Sequence, residues 1–133
     1  QAAPAALLVH EAGGSRADWK DLADRLQKQG FIVLSLDLRG HGESMSVDHD
    51  WSKANEEGKK NAWTASIADL KAGMSFLRAR PSVQPAGLTV VGHRSGCTLV
   101  ARYAVRDESV HAIALIDPQP RDQLVGGGDG GGR

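Results

Sequence analysis

Apolar residues fall in four short runs, with polar or amphipathic stretches between them. The runs are Ala6-Leu7-Leu8-Val9, Phe31-Ile32-Val33-Leu34-Ser35-Leu36, Leu88-Thr89-Val90-Val91 and His111-Ala112-Ile113-Ala114-Leu115-Ile116. Nearly continuous apolar character suits strands covered on both faces, as in a parallel sheet. After the first run, Gly13-Gly14 breaks the chain, and Ser15 with Asp18 has the spacing of a capping box. Trp19, Leu22, Ala23 and Leu26 then share one face at helical spacing, and Gly30 is a suitable stop. A second helix is expected from about Asn61, on the stripe Trp63, Ile67, Leu70, Met74 and Leu77, with Pro81 and Pro85 bracketing the loop after it. A third is expected over Thr98 to Val105. Residues 45–60 are polar and read as a solvated excursion.

Strands and helices therefore alternate. That order predicts an α/β fold: a mostly parallel sheet of about four strands, right-handed crossovers and helices on both faces. Residues 1–120 form the expected core, and 121–133, with Gly126-Gly127-Gly128-Asp129-Gly130-Gly131-Gly132, read as a flexible tail. Ligands of such sheets collect at the carboxyl ends of the strands. His10, Asp37, His93 and Asp117 lie at or just past those ends, around a pocket fit for a small molecule.

Composition narrows the partners. Sixteen basic residues balance sixteen acidic ones, so neither nucleic acid nor an anionic membrane is expected. No apolar run reaches membrane-spanning length. Cys97 is the sole cysteine and forms no internal disulfide. Asp48-His49-Asp50 lacks the spacing of a metal site, and none is expected. Gly13-Gly14 has neither a G-x-G-x-x-G pattern nor a Walker lysine beside it, so no nucleotide cofactor is expected. Gln1-Ala2-Ala3-Pro4-Ala5 would suit the start left by removal of an export signal; the compartment is otherwise unmarked.

The most informative stretch is Leu88 to Cys97. An apolar strand enters the glycine-flanked turn Gly92-His93-Arg94-Ser95-Gly96, and a helix follows. That is the frame of a nucleophile elbow, G-x-S-x-G, with Arg94 at the apex in place of serine. A guanidinium stays protonated and does not attack a carbonyl.

Four segments, in order, resemble the α/β-hydrolase superfamily, especially its dienelactone-hydrolase-like and serine-aminopeptidase-like esterase branches. Leu7 to Ser15 resembles the oxyanion-loop strand, with His10, Glu11 and Ala12 at the loop position. Asp37-Leu38-Arg39-Gly40-His41-Gly42-Glu43-Ser44 is similar to a distinctive family turn. Leu88 to Cys97 has the elbow's frame, and Ala112 to Pro118 resembles the strand after the elbow helix. Two departures accompany the match: Arg94 at the apex, and Glu11 where glycine is common. The family adds two further strands whose loops supply the triad acid and histidine, so the resemblance implies a truncated fold.

The resemblance thus implies an esterase- or peptidase-like hydrolase scaffold that is itself catalytically inactive. The alternatives are a fragment of a larger hydrolase, or a working hydrolase that uses Ser95. Ser95 is expected to cap or pack at the helix start. Asp117 stands where the resemblance places the triad acid of some members, and is otherwise expected to end a strand in a turn. His10, His41 and His93 are expected to be structural. A partly buried Arg94 needs a partner, and Glu11 and Asp117 are the candidates. The unpaired edge of the last strand offers a route to a homodimer.

Overall fold

The computed structural model describes residues 2–119. The expected tail at 121–133 and residue Gln1 lie outside the described residues. Four strands, β1 (Ala3–Val9), β2 (Ile32–Ser35), β3 (Val83–His93) and β4 (Val110–Ile116), make one sheet in the order β2-β1-β3-β4. All three pairings are parallel. Four helices connect them: α1 (Lys20–Lys28), α2 (Glu56–Ala65), α3 (Ile67–Arg78) and α4 (Gly96–Ala104).

The period-two alternation of β1 divides the core. Leu7 and Val9 face a cluster with Leu70, Met74 and Leu77 of α3 and Leu99, Val100 and Tyr103 of α4. Ala6 and Leu8 face the smaller cluster of Trp19, Leu22, Ala23 and Leu26 under α1. Both faces of β1 are dry, which explains its unbroken apolar run. Ser15 does form the capping box, but it opens a 3-10 turn at Arg16–Trp19 before α1 begins.

Three elements differ from the pattern-based expectation. The second helix starts at Glu56, capped by the Asn55 side chain on the Gly58 N–H at 2.8 Å. It breaks at Ser66, whose hydroxyl donates back to the Ala62 carbonyl at 2.9 Å, a bond that bends helices. The solvated excursion is therefore shorter than 45–60, and it includes a 3-10 turn at Trp51–Lys53. Strand β3 begins at Val83 and runs through Pro85. Val83 pairs with Ala3 and Leu88 with Ala5, so Pro85 sits in a bulge, where a missing N–H removes no ladder bond.

Strand β4 departs in burial. Its apolar run suggested cover on both faces, yet Ile113, Leu115 and Ile116 are 42%, 42% and 41% exposed. The physical reason is position: β4 is an edge strand with only β3 beside it among the described residues.

The two clusters make a stability test. Truncation of Leu70, fully buried in the larger cluster, should cost about 2–5 kcal/mol in denaturant unfolding of Leu70→Ala. Phe76 on the same helix is 51% exposed. Phe76→Ala should cost less than half as much.

Candidate functional site

Chain direction across the sheet places the site. From β1 the chain moves one way to β2, and from β3 the other way to β4. The crevice at the carboxyl ends of β1 and β3 is thus the topological switch point, where open α/β sheets bind ligands. Two loops meet there, His10-Glu11-Ala12 after β1 and Arg94-Ser95 after β3.

The elbow is built by close approach. A Cβ on Gly96 would stand 2.5 Å from the His10 carbonyl oxygen and 2.7 Å from that of Val9. A Cβ on Gly92 would lie 2.9 Å from Cys97 Cα and from Val100 Cγ2. Both glycines are needed for α4 to press against the sheet. The chain reverses between them by placing Arg94 at φ +52°, in the left-handed region. Its N–H donates to the Ile116 carbonyl at 2.9 Å, and its carbonyl accepts from Cys97 N–H at 3.0 Å.

Arg94 joins three strand ends. Its Nε donates to Glu11 Oε1 at 3.0 Å, and its Nη1 donates to Asp117 Oδ2 at 2.6 Å. The guanidinium is 39% exposed, Glu11 34% and Asp117 60%, so this is a half-wet clamp across the mouth. Asp117 is itself left-handed at φ +51°. The expected turn after β4 is thus also a ligand of Arg94.

Ser95 packs but does not cap. Its side chain makes no cap bond to α4. Its Oγ accepts the Ala12 N–H at 2.8 Å instead, a tie between the two loops that sequence spacing did not signal. That hydroxyl occupies the donor at the expected oxyanion-loop position.

The histidines are held by both nitrogens. His10 is fully buried; its Nε2 accepts the Leu38 N–H at 3.0 Å while Nδ1 donates to the Glu11 carbonyl at 2.7 Å. His41 accepts the Gly13 N–H through Nε2 at 2.9 Å and donates from Nδ1 to the Arg39 carbonyl at 3.0 Å. Their rings lie 4.8 Å apart, and His41 continues onto Trp51 at 4.8 Å. Burial lowers the pKa of each imidazole and outweighs the carbonyl that favours its proton. Each ring is therefore a neutral brace with no free nitrogen for base catalysis. His93, beside the apex, stands edge-on to Trp19 at 5.8 Å. His111 lies on β4, away from these loops.

Two acids organise the loop after β2, Asp37 within it and Asp69 on α3, and the sequence pattern did not signal that role. Asp37 accepts the N–H groups of Arg16 at 2.8 Å and Glu43 at 3.0 Å. Burial works to raise its pKa, but those N–H groups and the Arg16 guanidinium leave it lowered. Asp69 grips Arg39 through Nε, Nη2 and the backbone N–H. Within Asp48-His49-Asp50, Asp50 caps Ser52 N–H at 3.1 Å, and His49 pairs with Ser46 Oγ at 3.5 Å. Among the described residues no group of three His, Cys, Asp or Glu side chains is placed to hold a metal ion.

A parallel sheet with a glycine-flanked left-handed elbow after β3 defines an α/β-hydrolase. The family model for serine aminopeptidase, S33, matches residues 1–125, and the chain belongs to that family. An uncharacterized protein of Mycobacterium tuberculosis is 30% identical over 101 residues, 76% of this chain and 25% of its own length. Among solved structures, DcsB in complex with its substrate analogue is 25% identical with a TM-score of 0.71, over 88% of this chain and 38% of that one. A carboxylesterase structure from Nitrososphaera gargenis is 25% identical with a TM-score of 0.63, over 87% and 38%. The α/β-hydrolase GrgF from Penicillium sp. sh18, 21% identical, shares the fold at a TM-score of 0.71, over 89% and 38%. The chain thus spans a quarter of its curated relatives and about two-fifths of these structures.

Two predictions come from this geometry. The unfolded chain binds protons that the buried imidazoles refuse, so stability is full above the ordinary histidine pKa of 6.5 and is lost as pH falls below it toward the lowered folded values. Denaturant unfolding should therefore give a smaller free energy at about pH 5.5 than at about pH 7.5; equal values would mean that the rings charge freely. At the apex, Arg94→Ala loses the half-exposed clamp, about 1 kcal/mol, and keeps the left-handed strain. Arg94→Gly relieves that strain and should be more stable than Arg94→Ala by about 1 kcal/mol in the same assay.

Proposed function

We propose that this chain is a catalytically silent member of the hydrolase family, with a binding rather than a turnover role at its strand-end crevice. One observation carries the reading: the apex that presents the nucleophile in a G-x-S-x-G elbow holds Arg94, fixed by Glu11 and Asp117. Acyl transfer needs a nucleophile, a base to take its proton and free donors for the developing oxyanion. The apex offers a protonated guanidinium. His10 and His41 have both nitrogens engaged, and the Ala12 N–H is occupied by Ser95 Oγ. Nothing here depends on chain length, since an arginine blocks attack at the apex with or without further strands.

Loss of a nucleophilic serine costs on the order of a millionfold in kcat in serine proteases. Purified protein should therefore hydrolyse p-nitrophenyl acetate no faster than a heat-denatured control, and a fluorophosphonate probe should leave it unlabelled. Labelling at Ser95 that vanishes in Ser95→Ala, with turnover above the control, would overturn the proposal in favour of a shifted nucleophile.

A further inference from the structure

Helices α3 and α4 leave a cavity of about 500 Å³ between them, at the other end of the sheet from Arg94. Asp107 in its wall lies just before β4 begins, whereas Asp117 follows the end of that strand. A seven-residue strand, about 23 Å long, thus separates the two places.

Spacing along α3 gives the cavity an apolar end and a charged one. Ile67 and Ala68 share a face with Lys71, one turn further on. Arg78 comes later still, but its guanidinium folds back along the helix, and Nη2 donates to Ser75 Oγ at 3.3 Å. Its Nη1 donates to Asp107 Oδ2 at 3.0 Å and to Ser109 Oγ at 2.8 Å. Tyr103, buried on α4, donates its hydroxyl to the same carboxylate oxygen.

Asp107 is the one carboxylate in the wall, and it is saturated. Its Oδ1 accepts the Ser109 N–H at 2.9 Å and the Ser109 hydroxyl at 2.6 Å. With Tyr103 and Arg78 on Oδ2, its roughly four acceptor sites are all taken. Burial works to raise its pKa, but the bonds from Ser109, Tyr103 and Arg78 hold it down at about 2. It has nothing left for a further cation. Yet Lys71 and Arg106 also line the cavity, and neither has a carboxylate within 4.0 Å among the described residues. Asp69, the acid of α3, is gripped by Arg39. Arg102, one turn before Arg106, adds a like charge and Glu108 an opposite one, and neither lines the cavity.

Three cations therefore face one carboxylate. The C-terminal ends of α3 and α4 reduce that surplus, since each carries roughly half a negative charge. About one positive charge remains, a match for one singly charged anion rather than for a phosphate ester. One helical turn, about 5–6 Å, separates Lys71 from the apolar end, which is room for one ring.

We propose that this cavity binds a small amphipathic monocarboxylate, its head held by Lys71 and Arg106 and a single ring packed against Ile67 and Ala68. The site does not rest on the elbow being silent.

Four probes test it: 4-methylbenzoate, its neutral amide 4-methylbenzamide, acetate, which has the head without the body, and 4-methylphenyl phosphate, which carries about twice the charge. In ligand-observed NMR titration at low salt and about pH 7.5, 4-methylbenzoate should bind with a Kd of about 1 mM or better. The amide and acetate should each bind at least about fivefold more weakly, and the phosphate no more tightly than the carboxylate. Lys71 and Arg106 are exposed, so their replacement spares the fold. Lys71→Gln and Arg106→Gln should each weaken 4-methylbenzoate at least about threefold, and together at least about tenfold. Lys28→Gln, at an exposed position of α1 on the opposite face of the sheet, should leave its Kd unchanged. Absence of binding overturns the proposal. So does an amide or acetate that binds as well as the carboxylate, a phosphate that binds better, unchanged affinity in the double variant, or equal loss in Lys28→Gln.

Discussion

The first turn of α4 lies so close to the end of β1 that residue 96 has no room for a side chain. The would-be Cβ meets two β1 carbonyl oxygens at 2.5 and 2.7 Å. That approach fixes where the chain must turn after β3, and the turn in turn fixes the left-handed apex. It also brings the loops after β1 and β3 within one hydrogen bond of each other, as the Ala12-to-Ser95 tie records. The crevice at the switch point follows from this packing, not from the identity of the apex residue.

Two departures from the family pattern are then one interaction. Glu11 and Arg94 are the two positions at which the sequence departs from the motifs it resembles, and their side chains bond to each other at 3.0 Å. A lone guanidinium in a half-buried crevice would keep an unmet desolvation cost, and so would a lone carboxylate. Together, with Asp117 as second acceptor, they meet most of it. The clamp adds little stability at such exposure. Its chief consequence is geometric: it spans the ends of β1, β3 and β4 across the mouth of the crevice.

The strand-helix order, the parallel sheet and the elbow's frame were legible because each rests on local pattern: apolar runs, helical stripes and glycine spacing. What was not legible depends on contacts between distant segments. Pro85 reads as a loop residue until Ala3 and Ala5 pair on either side of its bulge. The break at Ser66 is hidden in a continuous apolar stripe, because a back-bonding hydroxyl leaves hydrophobic periodicity intact. Ser95 looks like a helix cap in one dimension, yet its acceptor is claimed by an amide 83 residues away. His41 and Trp51 read separately as a turn residue and part of a polar loop; only the fold stacks them.

A left-handed apex that carries an arginine bears on what such strain means. A left-handed non-glycine residue costs roughly 1–2 kcal/mol, and at active sites that cost is commonly tied to mechanism. Here the packing around the turn is enough to hold the conformation. Gly92 and Gly96 leave the helix and sheet in contact on either side, and Arg94 N–H and C=O are both committed, to Ile116 and Cys97. To relax the apex would break those two bonds and lift α4 off β1, at a cost comparable to or above the strain itself. The strained turn is thus held by packing around it, and the side chain at its tip is free to vary without a change in the shape of the scaffold.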